Sequence, residues 1–322
     1  MHLLVTGGTG FFGKALLRYW RSYPETIAIY DRITILTRNP DRFLEASRGL
    51  IKSSNIFMHK GDIMLPETLN EISSVSHVLH AATESTNGPH LKPLDRYQQI
   101  VQGTQNILDL AVQKKATKFL LTSSGGVYGP QPPEMEKIPE SYCGMPNPLD
   151  PGAAYSVGKR AAEHLCALYS EKYGLDFVIA RCFAFVGQDL PMDVHFAIGN
   201  FIRDALYGQE IVVSGNGHPV RSYLHQDDLA KWLMVMLQKG KSGTAYNLGS
   251  DEAIAIKDLA YLVRDLICPN KRVIINGHAD LINFKNRYVP CLEKIKNELG
   301  LSVGLSLNSA ILKSVFDIEN AI

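Results

Sequence analysis

Residues 3–17 read LLVTGGTGFFGKALL: an apolar run, a turn with spaced glycines, then apolar residues at helical spacing. Gly7 permits a tight turn, Gly10 lets a ligand approach the backbone, and Gly13 lets the helix pack closely on the strand. The start of that helix offers unpaired N–H groups and a partial positive charge, which suit a pyrophosphate. Strand, glycine turn and helix in this order predict a dinucleotide site whose turn is Gly7, Gly10, Phe11, Phe12 and Gly13. A first strand that ends this way belongs in an open parallel sheet with helices on both faces.

The rest of the first half agrees. Apolar runs at 2–6, 33–37, 55–60, 77–82, 118–124 and 176–182 read as buried strands, separated by helical spacing such as 98–114 and 155–173. Leu108, Leu110, Ala111 and Val112 give the first of those helices an apolar face, as Ala161, Ala162, Leu165 and Leu168 do for the second. After Cys182 the alternation fails, and Pro-, Gly- and Asn-rich stretches at 187–193, 215–219, 269–270 and 277–283 separate shorter elements. Segments 223–237 and 245–249 look regular enough to return to the first sheet. The expected architecture is α/β: a Rossmann-type doubly wound parallel sheet with a smaller, mixed α/β C-terminal substrate domain. The dinucleotide-binding domain is 1–182 plus about 222–250, and the substrate domain about 183–221 and 251–322.

Composition excludes several function classes. Lys and Arg total 33 against 32 Asp and Glu, a net charge of +1, so no basic face for nucleic acid is expected. No window approaches the roughly 18–20 apolar residues of a membrane helix, and the glycine-broken start lacks a signal-peptide pattern. Five cysteines without CxxC spacing suggest neither a disulfide framework nor a metal site. The expectation is a soluble, cytoplasmic protein without a metal.

Two residues compete for the adenosine ribose. Asp31 has the spacing of an acid that holds a 2′-hydroxyl. The better strand, however, is 33–37, which ends in Thr37-Arg38-Asn39-Pro40. A cation at a strand end pairs with a 2′-phosphate. Arg38 and NADP(H) are favoured, and NAD(H) stays open.

The chemistry centres on Tyr155-Ser156-Val157-Gly158-Lys159 at the start of a helix. Residues four apart share a helical face, so Lys159 can sit beside the Tyr155 phenol and, together with an oxidised nicotinamide, favour its ionised form. Thr122-Ser123-Ser124-Gly125-Gly126 closes the preceding strand and supplies a hydroxyl. Ser124 would stabilise charge on an oxygen being oxidised or reduced.

Together these motifs resemble the extended short-chain dehydrogenase/reductases of the NAD-dependent epimerase/dehydratase family, which act on nucleotide sugars. The resemblance spans essentially the whole chain. Asp62-Ile63 is similar to the pair that contacts adenine, and His80-Ala81-Ala82 to the segment bordering the cofactor, so Asp62, Ile63, Ala81 and Ala82 are implied cofactor residues. Gly103-Thr104-Gln105-Asn106, Arg181-Cys182-Phe183 and Tyr246-Asn247-Leu248-Gly249 resemble further family segments. Asn200-Phe201-Ile202 resembles a turn that contacts the nucleotide diphosphate. Arg221, in Arg221-Ser222-Tyr223, and Arg287, followed by Lys294 and Leu299-Gly300, resemble the arginines that grip it. Ser124, Gly125, Asn200, Arg221 and Arg287 are therefore implied substrate-binding residues, and a homodimer through 98–114 and 155–173 is implied as well.

The departures narrow the chemistry. The family's 4,6-dehydratases carry Asp-Glu after the catalytic hydroxyl residue and its decarboxylases a Glu, where this chain has Gly125 and Gly126. Ile100, Ala184, Ser222 and Cys291 replace family Asn and Asp residues that affect binding. What Tyr155, Lys159 and Ser124 can do alone is interconvert an alcohol and a ketone. A 4-ketoreductase of an NDP-(deoxy)hexose is expected, with a 4-epimerase retaining NAD as the alternative and dehydratase or decarboxylase chemistry disfavoured. A non-catalytic dinucleotide-binding protein is the reading from another class, opposed by the intact constellation. The sugar pocket is assigned to loops around 83–96, 130–150 and 186–200.

Overall fold

Seven apolar runs form one parallel sheet in the computed structural model, which describes residues 1–47, 49–51, 53–83, 91–194, 196–277 and 286–320. In chain order the elements are β1 (His2–Thr6), α1 (Phe11–Ser22), β2 (Arg32–Thr37), α2 (Pro40–Ala46), β3 (Ile56–Lys60), β4 (His77–His80), α3 (Pro93–Gln113), β5 (Lys118–Ser124), α4 (Ala154–Tyr173) and β6 (Asp176–Cys182). They continue as β7 (Phe185–Val186), α5 (Ala197–Tyr207), β8 (Glu210–Val213), β9 (Val220–Arg221), β10 (Leu224–His225), α6 (Gln226–Lys239), β11 (Thr244–Leu248), β12 (Ile254–Ala255), α7 (Ile256–Ile267), β13 (Arg272–Ile275), α8 (Glu293–Leu299) and α9 (Leu307–Glu319). Residues 84–90 of the 83–96 loop, 195 of the 186–200 loop and 278–283 of the 277–283 stretch lie outside the described residues.

The sheet order is β11-β6-β5-β4-β1-β2-β3, with every pairing parallel. The chain moves outward from β1 through β2 to β3, then returns to β4 on the other side of β1. That reversal puts the switch point between β1 and β4, where an open α/β sheet forms its crevice. Helices α1 and α6 cover one face, with Trp20, Trp232 and Leu233 buried. Helices α3 and α4 cover the other through Ile107, Leu108, Ala111, Ala162 and Cys166. Leu165 stays partly open and Leu168 is 44% exposed, so the core does not use the whole apolar face of α4.

Two expected strands end differently. The run at 77–82 stops as a strand at His80, because the Ala81 and Ala82 amides turn to the Thr6 hydroxyl, at 3.2 and 3.1 Å. Segment 223–237 divides into β10 and α6. β10 pairs with β7 outside the large sheet, whereas β11 does join it, beside β6. A separate core of Phe201, Ile211, Leu259, Val263 and Ile311 binds α5, α7, α9 and β8 together. Leu292, Ile295 and Leu301, although late in the chain, pack into the core beneath α6.

Candidate active site

The turn after β1 is shaped by what its glycines touch. Gly7 has φ +71°, and a Cβ there would lie 2.5 Å from the Ala81 carbonyl. At Gly13 a Cβ would lie 2.0 Å from the Gly8 carbonyl, so helix and turn meet with no room for a side chain. Gly10 differs: a Cβ would meet only the Gly7 carbonyl, at 3.5 Å, leaving the backbone open to a ligand. The N-terminus of α1 has no side-chain cap and no acid in its first turn. An open backbone at an uncapped helix start fits a dinucleotide pyrophosphate. Phe11 and Phe12 are half-buried, and their rings meet Phe185 at 6.2 and 5.3 Å, packing the start of α1 against β7.

Arg38 is exposed one residue beyond the carboxyl end of β2. Asp31 lies before the opposite end of the same strand and pairs with the N-terminal ammonium of Met1. A cofactor in the crevice reaches the carboxyl ends of the strands, so this placement removes Asp31 as the ribose acid. Beyond β3, Asp62 accepts the Met64 amide at 2.9 Å, and the Ile63 carbonyl accepts from Asn106 at 2.8 Å. His80 bridges Thr6 (2.7 Å) and Thr104 (3.2 Å); burial, with Lys159 adding to it, pushes its pKa down to about 3. It is a neutral structural peg below Ala81 and Ala82.

Tyr155, Lys159 and Ser124 converge where β5 meets α4. Ser124 ends β5 and accepts the Gly126 amide at 3.0 Å. The half-buried Tyr155 comes up beside it from the first turn of α4. Lys159, 3% exposed, donates to the Thr122 carbonyl at 2.7 Å and the Thr83 hydroxyl at 2.8 Å. Its ammonium is 5.9 Å from the Tyr155 ring centroid. Burial raises the phenol above its ordinary value, with Tyr288 and Cys182 adding to it and the Ser124 hydrogen bond and Arg96 opposing it. Tyr155 is thus held in its protonated, donating form.

Burial brings Lys159 down to about 8, against weaker upward pulls from Cys182, Glu163 and Cys166. Its folded value lies below its ordinary 10.5, so between those pH values the unfolded chain holds more protons and stability rises with pH. Relative to Lys159→Met, the native protein should gain about 2 kcal/mol between pH 8 and 10 in denaturant unfolding. A difference that stays flat or falls would contradict the buried ammonium.

Behind Ser124, Glu163 accepts from Ser123 (2.6 Å) and from the Arg181 guanidinium (2.8 Å). Arg181 also donates to the Tyr128 hydroxyl at 3.0 Å, and Tyr128 to Asn247 at 2.8 Å. This network braces β5, α4, β6 and β11 against each other. Sequence reasoning assigned Glu163 and Tyr288 no role, because only the fold brings Glu163 to Ser123 and Tyr288 to Ser124. The hydroxyls of Ser124 and Tyr288 are 3.5 Å apart across 164 positions of chain.

The implied diphosphate residues are placed with different results. Val220 and Arg287 form a bridge, which sets Arg221 and Arg287 on neighbouring backbone. Arg221 donates to the Val220 and Asn286 carbonyls, both at 2.8 Å, and Arg287 to the Glu136 carbonyl at 2.7 Å. Asn200 is in the first turn of α5 rather than in a loop turn. Its amide donates to the Val194 carbonyl at 2.8 Å and its carbonyl accepts from Arg203 at 3.4 Å. The structure does not group it with the two arginines. Gly125 borders Tyr288 and Phe183, each 2.7 Å from a Cβ built there.

Known proteins share this fold. The model of the NAD dependent epimerase/dehydratase family matches residues 3–249. UDP-glucuronic acid decarboxylase 1 of Danio rerio is 28% identical over 97% of this chain and 71% of its own length. A probable dTDP-glucose 4,6-dehydratase of Sinorhizobium fredii is 28% identical over 98% of this chain and 92% of its own. Among solved structures, UDP-glucose 4-epimerase of Thermotoga maritima superposes with a TM-score of 0.84 at 20% identity, covering 100% of this chain and 99% of that one. The dTDP-glucose 4,6-dehydratase DesIV of Streptomyces venezuelae, with NAD bound, gives 0.83 at 25% identity over 99% and 97%. With its glycine turn, switch-point crevice and Ser124-Tyr155-Lys159 site, the chain belongs to the NAD dependent epimerase/dehydratase family, in the extended branch of the short-chain dehydrogenase/reductases.

Proposed function

We propose that this protein is an NADP(H)-dependent nucleotide-sugar 4-ketoreductase. The observation that carries the reading is a buried Tyr155 phenol beside Ser124, with bare glycines at 125 and 126 where elimination chemistry needs acids. The nearby carboxylate of Glu163 is engaged by Arg181 and Ser123. Residues 1–182 with about 222–250 would hold the dinucleotide through Gly7, Gly10, Phe11, Phe12, Gly13, Arg38, Asp62, Ile63, Ala81, Ala82, Tyr155 and Lys159. The remaining segments would hold the sugar diphosphate, with Arg221 and Arg287 offering planar forks to its oxygens. The relatives named for UDP-glucuronic acid and dTDP-glucose support a nucleotide-sugar substrate.

When bound, the nicotinamide supplies the hydride. Tyr155 gives its proton to the sugar carbonyl oxygen as charge builds there, and Ser124 donates a hydrogen bond to the same oxygen. Lys159, fixed by Thr83 and Thr122, keeps a positive charge beside the phenol that must be re-protonated. The direct test is loss of reduced-nicotinamide absorbance when a 4-keto nucleotide sugar is supplied. Consumption with NADPH supports the reading; absence of consumption with either reduced dinucleotide rejects it.

The half-open Leu165 and the exposed Leu168 support a two-fold dimer in which α3 and α4 pair with their mates. Light scattering at micromolar concentration should give twice the chain mass. A monomer would contradict this assembly.

A further inference from the structure

Ser124 lies between two phenols. The Tyr155 phenol lies beside it on one side, and Tyr288 Oη stands 3.5 Å from its hydroxyl on the other. Counting donors sets the direction of these bonds. Tyr288 uses its single hydroxyl hydrogen on the Cys182 carbonyl at 3.2 Å, so toward Ser124 it can only accept. Ser124 therefore donates to Tyr288. Its own oxygen accepts the Gly126 amide at 3.0 Å, and the Tyr155 phenol lies beside it. The bonds run in one chain from the Gly126 amide to Ser124, to Tyr288, to the Cys182 carbonyl.

The Tyr288 ring is held firmly. It stacks on Phe183 with centroids 4.5 Å apart and planes at 33°, and the Arg221 guanidinium lies 5.9 Å from its centroid. Its neighbour Val289 donates to Gln131 at 3.0 Å. Gly125 makes room for the phenol, since a Cβ there would lie 2.7 Å from both Tyr288 Oη and Phe183 Cζ. Any side chain at 125 would drive the hydroxyl away from Ser124. The glycine and the tyrosine thus form one device.

We propose that Tyr288 is the positioning residue for Ser124, fixing the serine hydroxyl beside Tyr155 by accepting its hydrogen and filling the space above Gly125. At 3.5 Å the bond is at the limit of hydrogen bonding, so an arriving substrate oxygen can take over the Ser124 hydrogen while the Tyr288 ring stays in place. The inference rests on the proposed function only for the identity of that oxygen. The bond chain belongs to the protein alone.

Two readouts separate the claims. In NMR with tyrosine labelled at its ζ carbon, the Tyr155 resonance is the one lost in Tyr155→Phe. Tyr288→Phe should move it when Ser124 is present and leave it in place in a Ser124→Ala background. Gly125→Ala, which displaces the phenol without deleting it, should reproduce the movement and covers the case of a poorly folded Tyr288→Phe. No movement in either variant, or the same movement of Tyr288→Phe in both backgrounds, overturns the proposal. In turnover with NADPH and a 4-keto nucleotide sugar, Tyr288→Phe should lower kcat about tenfold with the cofactor KM unchanged, and add nothing to Ser124→Ala. Additive losses would count against it. A native protein inert toward every keto sugar would reject the reductase reading, and the resonance would still decide the role of Tyr288.

Discussion

Tyr155→Phe should leave folding and dinucleotide binding intact while lowering turnover by about 10²–10⁴-fold. The substitution removes one hydroxyl and keeps the ring, which packs with Ile100 and Ala162 in the core beneath α3 and α4. What is lost is the proton that burial keeps on the phenol. Without it, the oxygen that gains negative charge as the carbonyl carbon takes the hydride must find its proton in water. Ser124→Ala should cost a comparable or smaller amount, since it deletes one donor to the same oxygen. The check is kcat alongside thermal unfolding midpoints for each variant. Turnover near the native rate in Tyr155→Phe, with the fold unchanged, would remove the phenol from the chemistry.

Arg38→Ala should weaken NADPH relative to NADH by about 1.5–3 kcal/mol, roughly ten- to a hundredfold in affinity. Arg38 is exposed just past the carboxyl end of β2, on the side of the sheet where the glycine turn opens. An exposed arginine there has no structural task to lose, so its removal should act on the cofactor alone. Asp31 cannot compensate from the far end of the strand, where it pairs with Met1. Fluorescence titration with both reduced dinucleotides measures the difference. An equal loss for both, or tighter native binding of NADH, would return the preference to NAD.

Much of the fold was legible because burial on both faces leaves a strong mark on a strand. HLLVT, KFLLTSS and DFVIARC stand out as apolar runs and appear as β1, β5 and β6 with the expected bounds. The glycine turn was legible for a steric reason: close approach to Ala81 and Gly8 permits no side chain at positions 7 and 13. Less could be read after Cys182, where two-residue strands such as β7, β9 and β10 carry no periodicity of their own. Their pairing is set by tertiary contacts.

The site followed the same rule. Tyr155 and Lys159 share one helix, so their proximity is written in a spacing of four. Ser124 required only a strand end placed before that helix. The assumed action of Lys159 on the phenol was less accurate, because spacing shows nearness but not which acceptors are nearer; Thr83 and the Thr122 carbonyl take the ammonium instead. Asp31 had the expected spacing but not the expected end of the strand. Tyr288 left no local signal at all, since its meaning depends on a glycine far away in the chain.

The central claim is that the Ser124-Tyr155-Lys159 site reduces a sugar carbonyl and eliminates nothing. It is tested most directly by product mass when the protein is offered a 4-keto nucleotide sugar and a 6-hydroxylated nucleotide hexose, each with NADPH and with NAD⁺. The account predicts a gain of two mass units on the keto sugar with NADPH. Loss of the mass of one water from the hexose would contradict it, and an unchanged mass with inverted C4 would replace the reductase with an epimerase.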